Sequence, residues 1–392
     1  MNLTELRITT GTDILSQTIA ARLQETPIQS VVFRERRFID HNTEFYNAPE
    51  VAVSNRIAMM VRGRSEPKNI MKDGKGKIKQ FKLQRSKETD SLDITEVMEY
   101  DKMQALFMDE WIKAHDNKVP FLPSNQLEDM FNKFKSSEMF MIGLRMHSRQ
   151  FFGWIAKHAS LISTGKRFYQ DAEVSNTDEV NIDWGIPINT VTIPWSQTET
   201  ATPLQNLDKA FDAMRKKNQN PTAIFMGAAA AEHFERNTKE VYRENVQPIP
   251  TVPFVTNVQS PSVVLTRSLM DVNSGYRQVG SYRGIPIYCI SKEVLVPLED
   301  GTEKLVEIFD TNAVSIVSQN SEIGGNNFVD VFGNLSYFSG ADNNELTIIR
   351  NRQWFAYLGG VSDDKTRKSY YCESRHIPVL ENKDALFIYN VA

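Results

Sequence analysis

The sequence is short of the residues that most protein chemistry needs. Its 392 residues include two cysteines, Cys289 and Cys372, far apart and in no metal-ligand spacing. That argues against a disulfide framework and a cysteine-built zinc module, and fits folding in a reducing cytosol. Histidine is scarce as well: His41, His115, His147, His158, His233 and His376. His147 and His158 would lie three helical turns apart, too far to chelate one ion, and neither His-Glu-x-x-His nor Cys-x-x-Cys occurs. No apolar run approaches the ~18 residues of a spanning helix, so no membrane contact is expected. The opening Met1-Asn2-Leu3-Thr4-Glu5 lacks the basic and apolar regions of a secretory signal. Charge of one sign is lacking overall, with Lys+Arg 45 against Asp+Glu 49 and a net of -4. Any nucleic-acid contact must therefore be local.

Catalytic motifs are missing in the same way. Gly165-Lys166 resembles the end of a phosphate-binding loop, but Ser160 stands where Gly is needed and Arg167 where Ser or Thr is needed. Gly227, between an apolar strand and an Ala-rich helix, lacks the G-x-G-x-x-G spacing, and close strand–helix packing explains it better. Ser163-Thr164-Gly165-Lys166 satisfies Ser-x-x-Lys without its supporting motifs, and no G-x-S-x-G elbow occurs. No carboxylate spacing marks an acid–base pair. The reading is of a protein that is not an enzyme and uses no cofactor or metal.

What the sequence does have is segregated charge. Residues 62–87 carry ten bases (Arg62, Arg64, Lys68, Lys72, Lys75, Lys77, Lys79, Lys82, Arg85, Lys87) and two acids, Glu66 and Asp73. Residues 88–101 carry six acids (Glu88, Asp90, Asp93, Glu96, Glu99, Asp101) and no base. Asp73-Gly74 between extended runs signals a hairpin, because Gly tolerates the positive φ of the turn. A long hairpin over 30–92 is expected. Like charges along a two-stranded ribbon repel, so such a ribbon needs an outside surface. A solvated loop is one alternative and DNA binding by 62–87 another, although the stretch offers one aromatic, Phe81, for stacking on bases.

Residues 1–29 read as an arm with weak helical periodicity that Pro27 stops. Pro123-Ser124-Asn125 can start a long helix over 126–164 that Gly165 ends, with Phe151, Ile155 and Ile162 on its apolar face. Strands are expected at 164–169 and 180–185. Residues 196–340 read as an α+β unit: a helix at 203–218, a strand at 222–226, a helix at 228–236, and strands at 276–282, 285–290, 305–309 and 314–317. Extended runs return over 341–392.

Several motifs fall in an order that resembles the lambda-type bacteriophage major capsid proteins, whose fold is the Hong Kong 97-type capsid fold. They are Ala58-Met59-Met60-Val61 before Gly63, Lys79-Gln80-Phe81-Lys82-Leu83-Gln84-Arg85, Gly165-Lys166-Arg167-Phe168 and Val180-Asn181-Ile182-Asp183-Trp184-Gly185. Tyr282-Arg283-Gly284-Ile285-Pro286-Ile287, Ile377-Pro378-Val379-Leu380 and Phe387-Ile388-Tyr389-Asn390-Val391-Ala392 complete the series. The resemblance implies an N-terminal arm (1–29), an extension loop (30–92), a peripheral domain with a spine helix (93–195), an axial domain (196–340) and C-terminal strands of the peripheral domain (341–392). It implies a shell of hexamers and pentamers assembled in the host cytoplasm around double-stranded DNA. The implied partners are further copies, a scaffolding protein, a portal and a decoration protein, and the implied location is the virion. Contacts between subunits are expected at Arg62, Arg64, Lys72, Lys75, Lys77, Lys79, Lys82, Arg85, Glu88, Asp90 and Asp93, the basic stretch of one copy meeting the acidic stretch of the next.

Overall fold

The structure, a computed structural model, describes residues 28–39, 45–49, 78–93, 145–146, 149–169, 180–197, 200–245, 263–265, 276–297, 302–320, 326–339, 345–361 and 367–392. The expected arm before Ile28, the strand over 52–61, the Asp73-Gly74 turn and the helix before residue 145 lie outside these residues.

A single π-helical turn, Ile28–Val32, opens the described chain, followed by strands β1 (Glu35–Phe38), β2 (Phe45–Pro49), β3 (Ile78–Lys82) and β4 (Gln84–Asp93). Helix α1 covers 149–164. Next come β5 (Lys166–Tyr169), β6 (Val180–Asp183), β7 (Ile188–Thr190), α2 (Pro203–Arg215), β8 (Ala223–Met226) and α3 (Ala228–Asn245). Strands then dominate: β9 (Val263–Leu265), β10 (Tyr276–Tyr282), β11 (Ile285–Ile290), β12 (Glu293–Pro297), β13 (Glu303–Glu307), β14 (Ala313–Val317) and β15 (Phe328–Phe332). The last are β16 (Leu335–Ser339), β17 (Glu345–Ile349), β18 (Phe355–Val361), the long β19 (Arg367–Leu380) and β20 (Leu386–Asn390). The class is mixed α+β, as expected.

Two sheets organise the molecule. One has seven strands in the order β7-β20-β14-β8-β11-β10-β9, and the other has five, β1-β15-β19-β18 with β4 also on β19. The strands at the centre of the seven-stranded sheet are apolar on both faces, and their period of two divides two cores. Ala223, Phe225, Ala313, Val317, Leu386 and Ile388 face one core together with Phe151, Trp154, Ile155 and Ile162 of α1. Ile224, Met226, Val314, Ile316 and Tyr389 face the other, with Leu207, Phe211 and Met214 of α2 and Phe234 of α3. Helix α1 also packs against Val329, Val331, Ile377 and Val379 of the five-stranded sheet. It lies between the sheets, which explains why its buried face (151, 154, 155, 162) is wider than a surface helix needs.

Local chemistry sets the ends of α1 and of the β10–β11 hairpin. Gly165 adopts φ 65 and its N–H donates to Leu161 O at 3.0 Å, a left-handed helix stop that favours Gly. Ser315 points from β14 into the first core and donates to Ile162 O at 2.7 Å, satisfying a carbonyl that the helix end leaves open. Ser315→Ala should therefore destabilise the fold by about 1–3 kcal/mol, read as a lower denaturation midpoint at unchanged slope. Arg283 and Gly284 both have positive φ, 51 and 79, so they form the tight two-residue turn between β10 and β11 that suits strand twist. The Arg283 guanidinium is held by Asp208 of α2 at 2.9 Å.

Two expectations about boundaries need correction. Among the described residues of 30–92, β2 and β3 pair antiparallel as a hairpin would, but β1 runs parallel to β15, and β4 pairs along ten residues of β19, from Asp93 opposite Arg367 to Gln84 opposite His376. Nor do the strands divide at residue 340. β15 belongs with β19, while β20 from the C-terminal segment sits between β7 and β14. Hydrophobic patterning marks a strand and its buried face but carries no information about its partner, and both errors lie in partners.

Candidate functional site

The described half of the basic excursion is a short ribbon. β2 and β3 pair antiparallel from Phe45 opposite Lys82 to Pro49 opposite Ile78. Residues 50–77 therefore leave and return to the body at adjacent strand ends. Two devices fix this root. The Phe81 ring is buried against Trp184 of the segment after β6, with centroids 4.9 Å apart and planes 26° apart. The Arg37 guanidinium of β1 bonds Glu35 Oε1 at 2.6 Å, the Tyr46 hydroxyl of β2 at 2.8 Å and Glu381 Oε1, just past β19, at 2.5 Å. Burial opposes the charge, but these partners overcome it and raise the Arg37 pKa above its ordinary value. Phe81 is core, so the lone aromatic that could have stacked on bases is spent on anchoring.

The eleven expected contact residues fall into three groups. Arg62, Arg64, Lys72, Lys75 and Lys77 lie outside the described residues. Lys79 and Lys82 are on β3, where Lys82 is exposed. Arg85, Glu88, Asp90 and Asp93 are on β4, inside the five-stranded sheet. There Arg85 makes a two-pronged pair with Glu373 of the same chain, one arm at 3.0 Å. Burial raises the Glu88 pKa, partly offset by Arg149. The sheet thus brings the basic and acidic ends of β4 against β19 of their own chain.

Sequence reading missed a surface element. β12 and β13 form an antiparallel ribbon with Leu295 opposite Leu305, both exposed. The signal was present in Asp300-Gly301 between the alternating runs Glu293–Pro297 and Glu303–Glu307.

The titratable residues also form one buried cluster, between α1 and the five-stranded sheet. Asp330 of β15 is fully buried. Its Oδ2 accepts from Trp154 Nε1 at 2.7 Å and lies 3.1 Å from His158 Nε2. His158 Nδ1 sits 2.5 Å from Trp154 O. A carbonyl only accepts, so Nδ1 is the donor there. His376 of β19 stacks on His158 at 5.9 Å and on Phe332 at 5.7 Å. Burial, with Lys157 and His158 nearby, holds its pKa well below the ordinary 6.5. His158, Asp330 and His376 are all buried, so no substrate reaches them; the cluster fastens α1 to the sheet. Among the described residues no group of three or more His, Cys, Asp or Glu could hold a metal ion, and no helix is long and apolar enough to cross a membrane. Cys289 and Cys372 are both buried thiols.

The described residues define an α+β body organised by two sheets, with the β2–β3 ribbon on either side of the basic stretch and a second, exposed ribbon, β12–β13, elsewhere. Its chain is similar to the solved structure of a prophage capsid protein from E. coli CFT073, at 12% identity and a TM-score of 0.49, covering 95% of this chain and 97% of that one. It is similar to a phage-related protein from Bordetella bronchiseptica RB50, at 10% identity and a TM-score of 0.45, over 97% of both chains. A chain of the satellite phage P4 procapsid is similar at 11% identity and a TM-score of 0.41, covering 97% and 90%. Likenesses at these scores say nothing of function by themselves. No protein-family model and no curated protein matches the sequence.

Proposed function

We propose that the protein is the shell-forming subunit of a tailed double-stranded DNA phage, the major capsid protein, with the Hong Kong 97-type layout. Copies assemble through hexamers and pentamers into an icosahedral procapsid that matures around packaged DNA. The observation that carries the reading is the rooting of the basic excursion. Residues 50–77 leave and rejoin the body at the paired ends Pro49 and Ile78, and the stretch from 62 to 87 has a net charge of about +8. An arm so charged cannot fold back stably on itself and needs a surface on another molecule. The order of capsid-like motifs along the chain supports the same reading. Weak contacts repeated around a closed shell make each added contact effectively intramolecular. Scaffolding protein, portal, decoration protein and encapsidated DNA are the partners this role brings, in the host cytoplasm during assembly and in the virion afterwards.

The test is to express the full chain with its scaffold and to look for rings and shells by electron microscopy. Assemblies of uniform diameter are expected, and their absence across scaffold ratios sinks the proposal. The competing DNA reading predicts retention on duplex DNA that falls by roughly one power of salt concentration per phosphate contact. In that case Lys75→Gln, Lys77→Gln and Lys79→Gln together abolish DNA retention and leave assembly untouched. The shell reading predicts the reverse.

A further inference from the structure

The β12–β13 ribbon carries an apolar pair on its outer surface. Leu295 and Leu305 are direct cross-strand partners and are 58% and 57% exposed. The period of two places Glu293 opposite Glu307 on the same face, toward the body, and Pro297 opposite Glu303 toward the tip. A pair of leucines is thus bracketed by three carboxylates. On the other face Val294 packs against the core between the sheets, so the ribbon is fixed at its base and the leucine face looks outward.

Two physical arguments limit what covers this face. Glu293 and Glu307 are directly opposed like charges on a two-stranded ribbon, a pairing that destabilises it. A cover that removes the leucines from water and brings positive charge relieves both faults. The same ribbon from another copy would instead bring three carboxylates against three, so ribbon-on-ribbon pairing is disfavoured. The complement is in the same sequence. Residues 62–77 hold six Lys or Arg against two acids, with the apolar Ile70 and Met71 among them. Residues 50–77 are enough chain to reach out and back over at most ~45 Å.

Resting on the shell reading, we propose that the outer face of β12–β13 is the seat for the basic segment 62–77 of a neighbouring copy. The leucines receive its apolar residues, and Glu293, Glu303 and Glu307 receive its Lys and Arg. A contact of this kind joins two different surfaces of identical chains head to tail. Such contacts generate rings when the rotation closes. This acidic face differs from the β4 acids: Glu88 is half-buried and its strand is bound to β19, whereas Glu293, Glu303 and Glu307 are exposed.

The experiment uses two full-length variants. One carries Glu303→Lys and Glu307→Lys, the other Lys72→Glu, Lys75→Glu and Lys77→Glu. Each alone places like charges on both sides of the contact and is expected to lower the assembled fraction at least tenfold by sedimentation, with melting temperature unchanged. An equal mixture alternates complementary partners around any ring with an even number of copies and is expected to recover six-membered rings to within about twofold of the wild type. Normal assembly by either variant, or failure of the mixture to recover, overturns the inference and leaves the shell reading standing. So does recovery only when all five changes share one chain, which places the contact within a single copy. A wild type that forms no rings or shells overturns the shell reading itself, and this inference with it.

Discussion

Gly227→Ala is expected to destabilise the protein by about 3–5 kcal/mol, while Gly153→Ala is expected to stabilise it by about 0.5–1 kcal/mol. The same methyl group has opposite effects because the two positions meet different surroundings. Gly227 joins β8 to α3 and its N–H donates to Ala313 O at 3.0 Å. A Cβ there would stand 2.1 Å from Asp310 O and 2.5 Å from Thr311 C. Both obstacles are backbone, so neither can swing away. The segment they belong to also caps α3, with Thr311 Oγ1 accepting from Ala229 N at 3.2 Å and Thr311 O accepting from Ala230 N at 3.0 Å. Displacing it reopens the helix end as well as overpacking the junction. Gly153, by contrast, is exposed within α1 and a Cβ would meet nothing within 4 Å. The gain comes from the conformational freedom that glycine loses on folding. Denaturant titration of both variants checks the pair of signs, and a Gly227→Ala protein as stable as the wild type would refute the close-approach account.

Asp330→Ala should cost about 1–3 kcal/mol, because it leaves the buried Trp154 N–H without its acceptor. Trp154 Nε1 and His158 Nε2 both lean on Oδ2, and neither can turn to water. Asp330→Asn keeps an oxygen acceptor for Trp154 in the same volume, so a smaller loss of roughly 0.5–1.5 kcal/mol is expected. Acid should act on the same cluster. The His376 pKa in the fold lies below the ordinary 6.5, so the unfolded chain takes up a proton before the native one does. Stability is then fully present above about pH 6.5 and lost as pH falls below it. Melting curves from pH 8 to pH 5 should show that decline, and His376→Gln should flatten it.

Much of the framework was legible beforehand. The turn at Arg283-Gly284, the helix beginning at Pro203, the stop at Gly165 and the strands at 223–226 and 313–317 each depend on a few adjacent residues. Turn chemistry and short-period patterning report on such local choices. Gly227 was read correctly as a packing glycine. The partners of β4 and β20 were not legible, nor was the cluster joining Trp154, His158, Asp330 and His376. Those residues are 176 positions apart across the Trp154–Asp330 bond, and nothing in a linear pattern links a tryptophan on a helix to an acid on a distant strand.

The basic excursion shows the same division. Its charge, its length and its lack of catalytic company are properties of the sequence alone, and they raised the expectation of an outside surface beside a solvated loop and DNA binding, since like charges on an unsupported ribbon repel. Only the tertiary structure decided where that excursion is rooted, that Phe81 is buried in the root, that β4 belongs to the body sheet, and that an exposed leucine pair among carboxylates lies on another ribbon. Charge and period act between neighbours in the chain and can be read there. Strand pairing and burial are settled by competition among distant segments for the same partners, and only the folded molecule records which segments won.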